Sequence, residues 1–271
     1  MEKMGESAET GAAKRPFRAK IRFATRSDAA ALQAIYAYYV ENTTVSFEYE
    51  APSVAETERR IAEVEGVYPF LVCVVEGEIG GDGKNKKDAG VFSTVLNSAD
   101  LNDGVAEVAK PSASRGNVET ERGGERIVGY ALAHRAFERA AYSWTAETSV
   151  YVDRNWRRRG IGEALYSALI EILEAQGVRT LYAVVVAENK ASVEFHKRAG
   201  YREFATFKNS GWKFDRWLDV VWLERTLGVW SVADGAGKPP TSIRPSVEIA
   251  EARLTAICDA AARQIAEKTE G

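Results

Sequence analysis

Cysteine, histidine and methionine are scarce, with two of each in 271 residues. Cys73 and Cys258 stand far apart in unrelated contexts, so they make neither a disulfide framework nor a paired metal motif, and buried thiols in a reducing compartment are expected. His134 and His196 are isolated and the carboxylates scattered, which defines no metal site. No apolar run reaches the length of a membrane span. The first twenty residues mix Glu2, Glu6 and Glu9 with Lys3, Lys14 and Arg15 and hold no apolar stretch of signal length. A cytoplasmic location without a membrane partner is therefore the expectation. Neither sign of charge dominates: 36 basic against 39 acidic side chains leave a net charge of -3, which gives no global argument for a nucleic-acid partner.

What is present is core-forming material. Apolar residues make up 45% and charged residues 28%, enough for one substantial domain with appendages or for two small ones. Residues 1–19 read as a flexible lead. A strand at Ile21-Arg22-Phe23-Ala24-Thr25 precedes Ser27-Asp28, a cap for a helix with Leu32, Ile35, Tyr38 and Tyr39 on its apolar positions. Ser53, with Glu56 three residues on, predicts a second helix start. The run Pro69-Phe70-Leu71-Val72-Cys73-Val74-Val75 predicts a buried strand.

Residues 79–125 are rich in glycine and charge and show no sustained period, so they read as a low-order insertion. Their flanks resemble two arms of a hairpin, a place where added length costs little entropy. The pattern resumes with strands through about Ala133 and at Thr145 to Val152, then a helix from Gly160 to Gln176. A strand at Thr180 to Val186, a helix at Lys190 to Ala199, and strands near Tyr201 to Lys208 and Trp217 to Arg225 complete a domain over 20–227. The order predicts a mixed α/β sheet covered by helices. Residues 228–245 read as a linker, and 246–268 as a last helix with Ala250, Leu254, Ile257, Ala261 and Ile265 on one stripe.

The sharpest local signal is Arg157-Arg158-Arg159-Gly160-Ile161-Gly162, between the strand holding Val150 and Val152 and an amphipathic helix. Glycine lets backbone amides approach an anion closely, and the first turn of a helix has unpaired N-H groups at its positive end. Arg154 adds a fourth positive charge. This arrangement suits a diphosphate. It lacks the Lys-Ser/Thr ending of a nucleotide P-loop, and its glycine spacing is not that of a dinucleotide fingerprint.

Arg157, Gly160 and Gly162 resemble the acetyl-coenzyme A motif of the GCN5-related N-acetyltransferase superfamily, and the likeness extends from about Ile21 to Leu227 apart from the insertion. It implies an acyltransferase fold with a central, mostly antiparallel twisted sheet and acetyl-CoA as cosubstrate. It also implies that backbone near Val150 and Val152 pairs with the pantetheine arm, and that amides of Arg158, Arg159, Gly160, Ile161, Gly162 and Glu163 hold the diphosphate. Asn189 and Ser192 match positions around the second half of the cofactor. Closer similarity lies with phosphinothricin and methionine sulfoximine N-acetyltransferases. It is carried by Asn42-Thr43-Thr44-Val45-Ser46-Phe47, by Thr145-Ala146-Glu147-Thr148-Ser149-Val150-Tyr151-Val152, by Ser192 to Tyr201 and by Gly211 to Val220. That branch implies a small amino acid or analogue as the acceptor, and a homodimer.

An amine attacks a thioester only as its free base, so a general base is required. The resemblance gives that role to Glu147, and it implies that His196 assists proton transfer with Glu147 or orients the substrate; a packed core histidine is the plain alternative. Arg135 and Arg139 precede the Glu147 strand where the resembled enzymes carry substrate-facing arginines, and guanidinium can grip a carboxylate in a fork. Phe47 and Tyr142 are candidates for the apolar wall, and Lys213 for a further substrate contact. A protein or polyamine acetyltransferase and a noncatalytic coenzyme A-binding scaffold are the competing readings.

Overall fold

The computed structural model describes residues 17–76, 121–122, 125–228 and 241–270. Most of the sequence assigned to the lead and the insertion, and residues 229–240 of the linker, lie outside the described residues. The chain runs β1 (Arg18–Phe23), α1 (Ala29–Asn42), α2 (Val54–Val64), β2 (Phe70–Glu76), β3 (Glu121–Arg122), β4 (Glu125–Arg135), β5 (Thr145–Val152), α3 (Ile161–Gln176), β6 (Thr180–Val186), α4 (Lys190–Arg198), β7 (Arg202–Lys213), β8 (Arg216–Thr226) and α5 (Glu251–Glu270). The strands order as β1-β2-β4-β5-β6-β8-β7, with β3 paired to β4. All neighbours are antiparallel except β5 and β6. β1 begins at Arg18, three residues before the expected strand, because Arg18, Ala19 and Lys20 pair with Glu76, Val75 and Val74. β2 and β4 are antiparallel neighbours, so the chain between them joins the two arms of a hairpin.

Local chemistry sets the helix ends. Ser53 Oγ accepts from the Glu56 amide at 3.1 Å and starts α2. Asp28 Oδ2 accepts from the Thr25 amide at 2.7 Å and fixes the turn that leads into α1. Gly177, at φ +91°, ends α3: its amide reaches Glu174 O, and the Val178 amide reaches Leu173 O.

The two sheet faces are told apart by strand alternation. Tyr130 on β4 and Tyr151 on β5 lie opposite each other, and Tyr151 meets Tyr36 and Tyr39 of α1. A Cβ on the neighbouring Gly129 would instead touch Ile161 and Leu165 of α3. The helices α1 and α2 therefore cover one face, and α3 the other. The helix α5 packs on α3 and β1, burying Ile257, Cys258, Ala261 and Ile265 in the common core.

A parting of two strands opens the middle of the sheet. β5 runs from Thr145 to Val152 and β6 from Thr180 to Val186, yet they pair only over Thr145–Thr180, Ala146–Leu181 and Glu147–Tyr182. Beyond Glu147 the two strands part, leaving a fork in the middle of the sheet.

Candidate active site

At the open end of the fork, β5 leads into the arginine-glycine loop. Asp153 caps a short turn over Arg154–Trp156, its Oδ1 accepting from the Asn155 amide at 2.8 Å. Arg158 at φ +60° and Gly160 at φ +78° then bend the chain so that successive amides gather at the start of α3. The arginine side chains turn onto aromatic rings, and the Arg157 guanidinium is partly buried. Arg154 lies over the Tyr38 ring at 5.0 Å and Arg157 over Tyr39 at 5.4 Å, while Arg159 stacks on Trp156 at 4.8 Å. The backbone of Arg158, Arg159, Gly160, Ile161, Gly162 and Glu163 forms the turn itself and the first turn of α3, with the Lys268 side chain lying over Gly160. A Cβ at Gly162 would be in van der Waals contact with Val152 and Phe195, so this residue also seats α3 against β5 and α4.

Val150 and Val152 sit on the part of β5 that β6 no longer pairs, with Ala131 and Gly129 of β4 behind them. The Val152 carbonyl accepts a hydrogen bond from the Tyr39 hydroxyl. Across the fork, Asn189 caps α4: its Oδ1 accepts from the Ser192 amide at 3.2 Å, while its buried Nδ2 has no hydrogen-bond partner among the described residues. Ser192 is fully buried one turn into α4.

Glu147 stands in the last β5–β6 pair, at the point where the strands separate, and is 3% exposed. It shares the face of Ser149 and Tyr151, the face covered by α1 and α2. Between these helices and the sheet is a cavity of about 120 Å³ whose wall includes Tyr36, Arg60, Tyr130, Leu132, His134 and Tyr151. His134 lies directly across the β4–β5 ladder from Glu147. Its Nδ1 donates to the Arg135 carbonyl at 2.9 Å, which leaves Nε2 as an acceptor, and Nε2 is buried with no partner among the described residues. Burial pushes the His134 pKa down, against the upward pull of that hydrogen bond, so the ring is neutral. Arg60 is the cation of this cavity and is shared between Glu48 and Glu56, each at 2.8 Å. Neither residue is marked as functional by its sequence neighbours. His134 stands alone in its stretch of sequence, and Arg60 reads as one charge on a solvated helix.

His196 is on the other side. Thr148 Oγ1 meets the hydroxyls of Tyr166 at 2.7 Å and Tyr201 at 2.9 Å, and His196 packs edge-on against both rings. Thr148 and Glu147 alternate across the sheet, so His196 and Glu147 face opposite sides of it. The His196 Nδ1 donates to the Ser192 carbonyl at 2.8 Å, and burial pushes its pKa down to about 4. The ring is completely buried. Its partners are those of a packed, neutral histidine that braces the first turn of α4.

The expected substrate contacts divide in the same way. Arg135 follows His134 on the opposite side of the strand and interacts with the Tyr68 hydroxyl. Arg139 is exposed at the start of the Ala140–Tyr142 turn, and the Tyr142 ring meets Phe137 at a tilt, with centroids 4.8 Å apart. Lys213 is buried, and its Nζ donates to the carbonyls of Val40 at 2.7 Å and Ser46 at 2.6 Å. Phe47 lies on the backbone of Gly211, where an added Cβ would come within 2.2 Å of the ring. The loop carrying Phe47 is thus fastened to the β7–β8 hairpin, spanning from α1 to the far side of the fork. Among the described residues, no three of His, Cys, Asp and Glu come together as a metal site.

Comparison with known proteins agrees with this architecture. The sequence model described as an acetyltransferase (GNAT) domain matches residues 21–90 and 119–222. The chain is 29% identical over 230 residues to a phosphinothricin N-acetyltransferase of Streptomyces viridochromogenes, covering 85% of this chain and 96% of that protein. It is 37% identical over 112 residues to an L-methionine sulfoximine/L-methionine sulfone acetyltransferase of Pseudomonas aeruginosa, covering 41% of this chain and 63% of that one. The crystal structure of a phosphinothricin acetyltransferase from Sinorhizobium meliloti in complex with AcCoA aligns with a TM-score of 0.60 at 26% identity, over 84% of this chain and 97% of that one. With a matched domain and an accompanying fold, the chain belongs to the GNAT acetyltransferase family and uses acetyl-CoA as its cosubstrate.

Proposed function

We propose that this protein transfers the acetyl group of acetyl-CoA to the amino group of a small amino acid or amino-acid analogue, of the methionine sulfoximine, methionine sulfone or phosphinothricin type. The observation that carries this reading is the position of Glu147 at the parting of β5 and β6, on the face that holds the cavity. The residues present suit the cosubstrate. The left-handed Arg158 and Gly160 gather amides for a diphosphate, and the buried Asn189 Nδ2 is a donor in want of an acceptor. Acetyl-CoA supplies a thioester whose carbonyl carbon is open to attack by an amine. The backbone around Val150 and Val152 holds the pantetheine arm, and Arg157 and Ser192 fix the strand end and the helix start that bound it.

On the acceptor side, Glu147 removes the ammonium proton, so that the nitrogen lone pair is available. The His134 Nε2, across the ladder, is a second acceptor for an N-H of the same amine. His196 is a positioning residue, not a proton donor, since it faces away from Glu147. Arg139 remains the proposed cation for the substrate carboxylate, whereas Arg135, on the side of β4 away from His134 and Glu147, is assigned to Tyr68 instead; Phe47 and Tyr142 form the apolar edge, and Lys213 holds the Phe47 loop in place. A cavity of about 120 Å³ has room for about four waters, a size that suits a small molecule. The names of the relatives support the same acceptor class.

A reducing, cytoplasmic compartment is proposed for the reaction, in keeping with two free, buried cysteines whose thiols burial pushes up to about 12 at Cys73 and about 11 at Cys258. No helix among the described residues is long and apolar enough to cross a membrane. A homodimer is proposed as the working form, because aromatic side chains remain exposed where the sheet extends past α1 and α2.

Coenzyme A release across a panel of methionine sulfoximine, methionine sulfone, phosphinothricin, ordinary amino acids and spermidine tests the acceptor. One of the first three should turn over fastest, and spermidine leading the panel would overturn the assignment. Glu147→Gln should lower kcat about 10²- to 10⁴-fold while acetyl-CoA still binds. Normal turnover would remove Glu147 from the chemistry.

A further inference from the structure

The helix α5 lies beyond residue 222, where the match to the family ends, yet its last turns reach the loop assigned above to the diphosphate. Lys268 makes the contact. Its stem lies over Gly160 so closely that a Cβ there would come within 2.9 Å of Lys268 Cδ. Its ammonium pairs with the carboxylate of Glu163, in the first turn of α3. This is no loose tail, since Ile257, Cys258, Ala261 and Ile265 anchor α5 in the core.

The charges around the loop explain what such a lysine can do. Glu163 puts a carboxylate beside the amides that would receive a diphosphate, a repulsive arrangement if left uncompensated. Three of the arginines of the loop, Arg154, Arg157 and Arg159, lie against aromatic rings. Lys268 brings a cation from a different part of the chain. Its pair with Glu163 is about half exposed on both sides, so it is weak and readily exchanged for a stronger anion. An ammonium on a flexible stem is a good point charge for phosphate.

We infer that Lys268 is a phosphate-binding residue of the acetyl-CoA site, turning from Glu163 to the diphosphate when the cofactor binds. This rests on the reading that the amides of Arg158 to Glu163 hold that diphosphate. The C-terminal helix is then part of the cofactor site. By linkage, cofactor binding and the docking of α5 strengthen each other by the same factor.

Titration calorimetry of the full chain with CoA and with dephospho-CoA tests the assignment. Lys268→Met keeps a stem over Gly160 and removes the charge. Its Kd for both ligands should rise about fivefold at low ionic strength, with the loss shrinking at high salt, whereas Lys268→Arg stays near the wild type. If Lys268→Met itself lowers the melting temperature, Lys268→Gln compared with Lys268→Arg reads the charge in the same way. Wild-type affinity in the uncharged variants at low salt would overturn the inference. So would full recovery in the Glu163→Gln/Lys268→Met double variant, which would make the lysine only a mask for Glu163, or a loss seen with CoA and not with dephospho-CoA, which would move the contact to the 3′-phosphate. Wild-type protein that takes up neither ligand would overturn the diphosphate reading underneath, and this inference with it.

Discussion

His196 pays for its position in acid. The unfolded chain protonates an imidazole near pH 6.5, whereas the buried ring takes its proton only at about 4. Between those values the unfolded state binds more protons, so folding stability is fully present above pH 6.5 and is lost as the pH falls through 4. The difference amounts to about 3 kcal/mol. Urea unfolding measured from pH 7 to pH 4 should therefore show an acid limb that is shallower in His196→Phe by about that amount. Part of the limb will remain, because the pKa of His134 is lowered in the same direction. An unchanged limb would mean that His196 titrates normally in the fold. At this scale the sequence was readable where chemistry is written in consecutive residues, as at Arg157, Gly160 and Gly162. It was silent at His134, Arg60 and Lys268, whose partners arrive from other elements.

The β7–β8 hairpin shows how the same contrast works for elements. The strand pattern predicts an end near Lys208, but β7 continues to Lys213 and turns through Phe214 and Asp215, both at positive φ. A two-residue turn of that kind normally announces itself with Asn or Gly, and Phe-Asp does not. The capping pair Ser53 and Glu56 and the terminating Gly177 were legible because each acts within its own turn. The extra length of the hairpin has a structural purpose. It carries Lys213 and Gly211 to the end of α1 and the loop at residues 43–53, where the Lys213 ammonium holds the Val40 and Ser46 carbonyls and Tyr49 donates to the Trp212 carbonyl at 2.7 Å. Burial lowers the Lys213 pKa to about 8, so the group remains mostly charged at neutral pH. Lys213→Met should cost about 2 kcal/mol by leaving the Val40 and Ser46 carbonyls without their donor. It should also speed proteolytic nicking within residues 43–53. Equal stability and equal nicking would show that the loop is held by Phe47 and Tyr49 alone.

For the whole molecule, periodicity foretold a mixed sheet covered by helices, but not where α5 docks or which part of the sheet lacks cover. Those depend on contacts between segments far apart in sequence, to which a hydrophobic stripe gives no address. On the face that α1 and α2 protect over β4 and β5, the sheet continues through β6, β8 and β7 with a group of aromatic rings. Phe204 meets Tyr182 and Trp222, and Phe207 meets the same Trp222. Phe204 is 45% and Phe207 49% exposed. A contiguous apolar area of this kind is costly to leave in water and marks a contact surface. A second copy of the chain is the proposed occupant, because two such faces can cover each other by a twofold rotation. Light scattering should give twice the mass of one chain, and Phe204→Glu with Phe207→Glu should reduce it to a single chain by burying charge at the contact. The substitutions lie on the exposed side of an edge strand, so the monomer should keep its fold and its affinity for CoA. A wild-type mass of one chain across the accessible concentration range would remove the dimer, and a double variant that still dimerises would move the contact off this face.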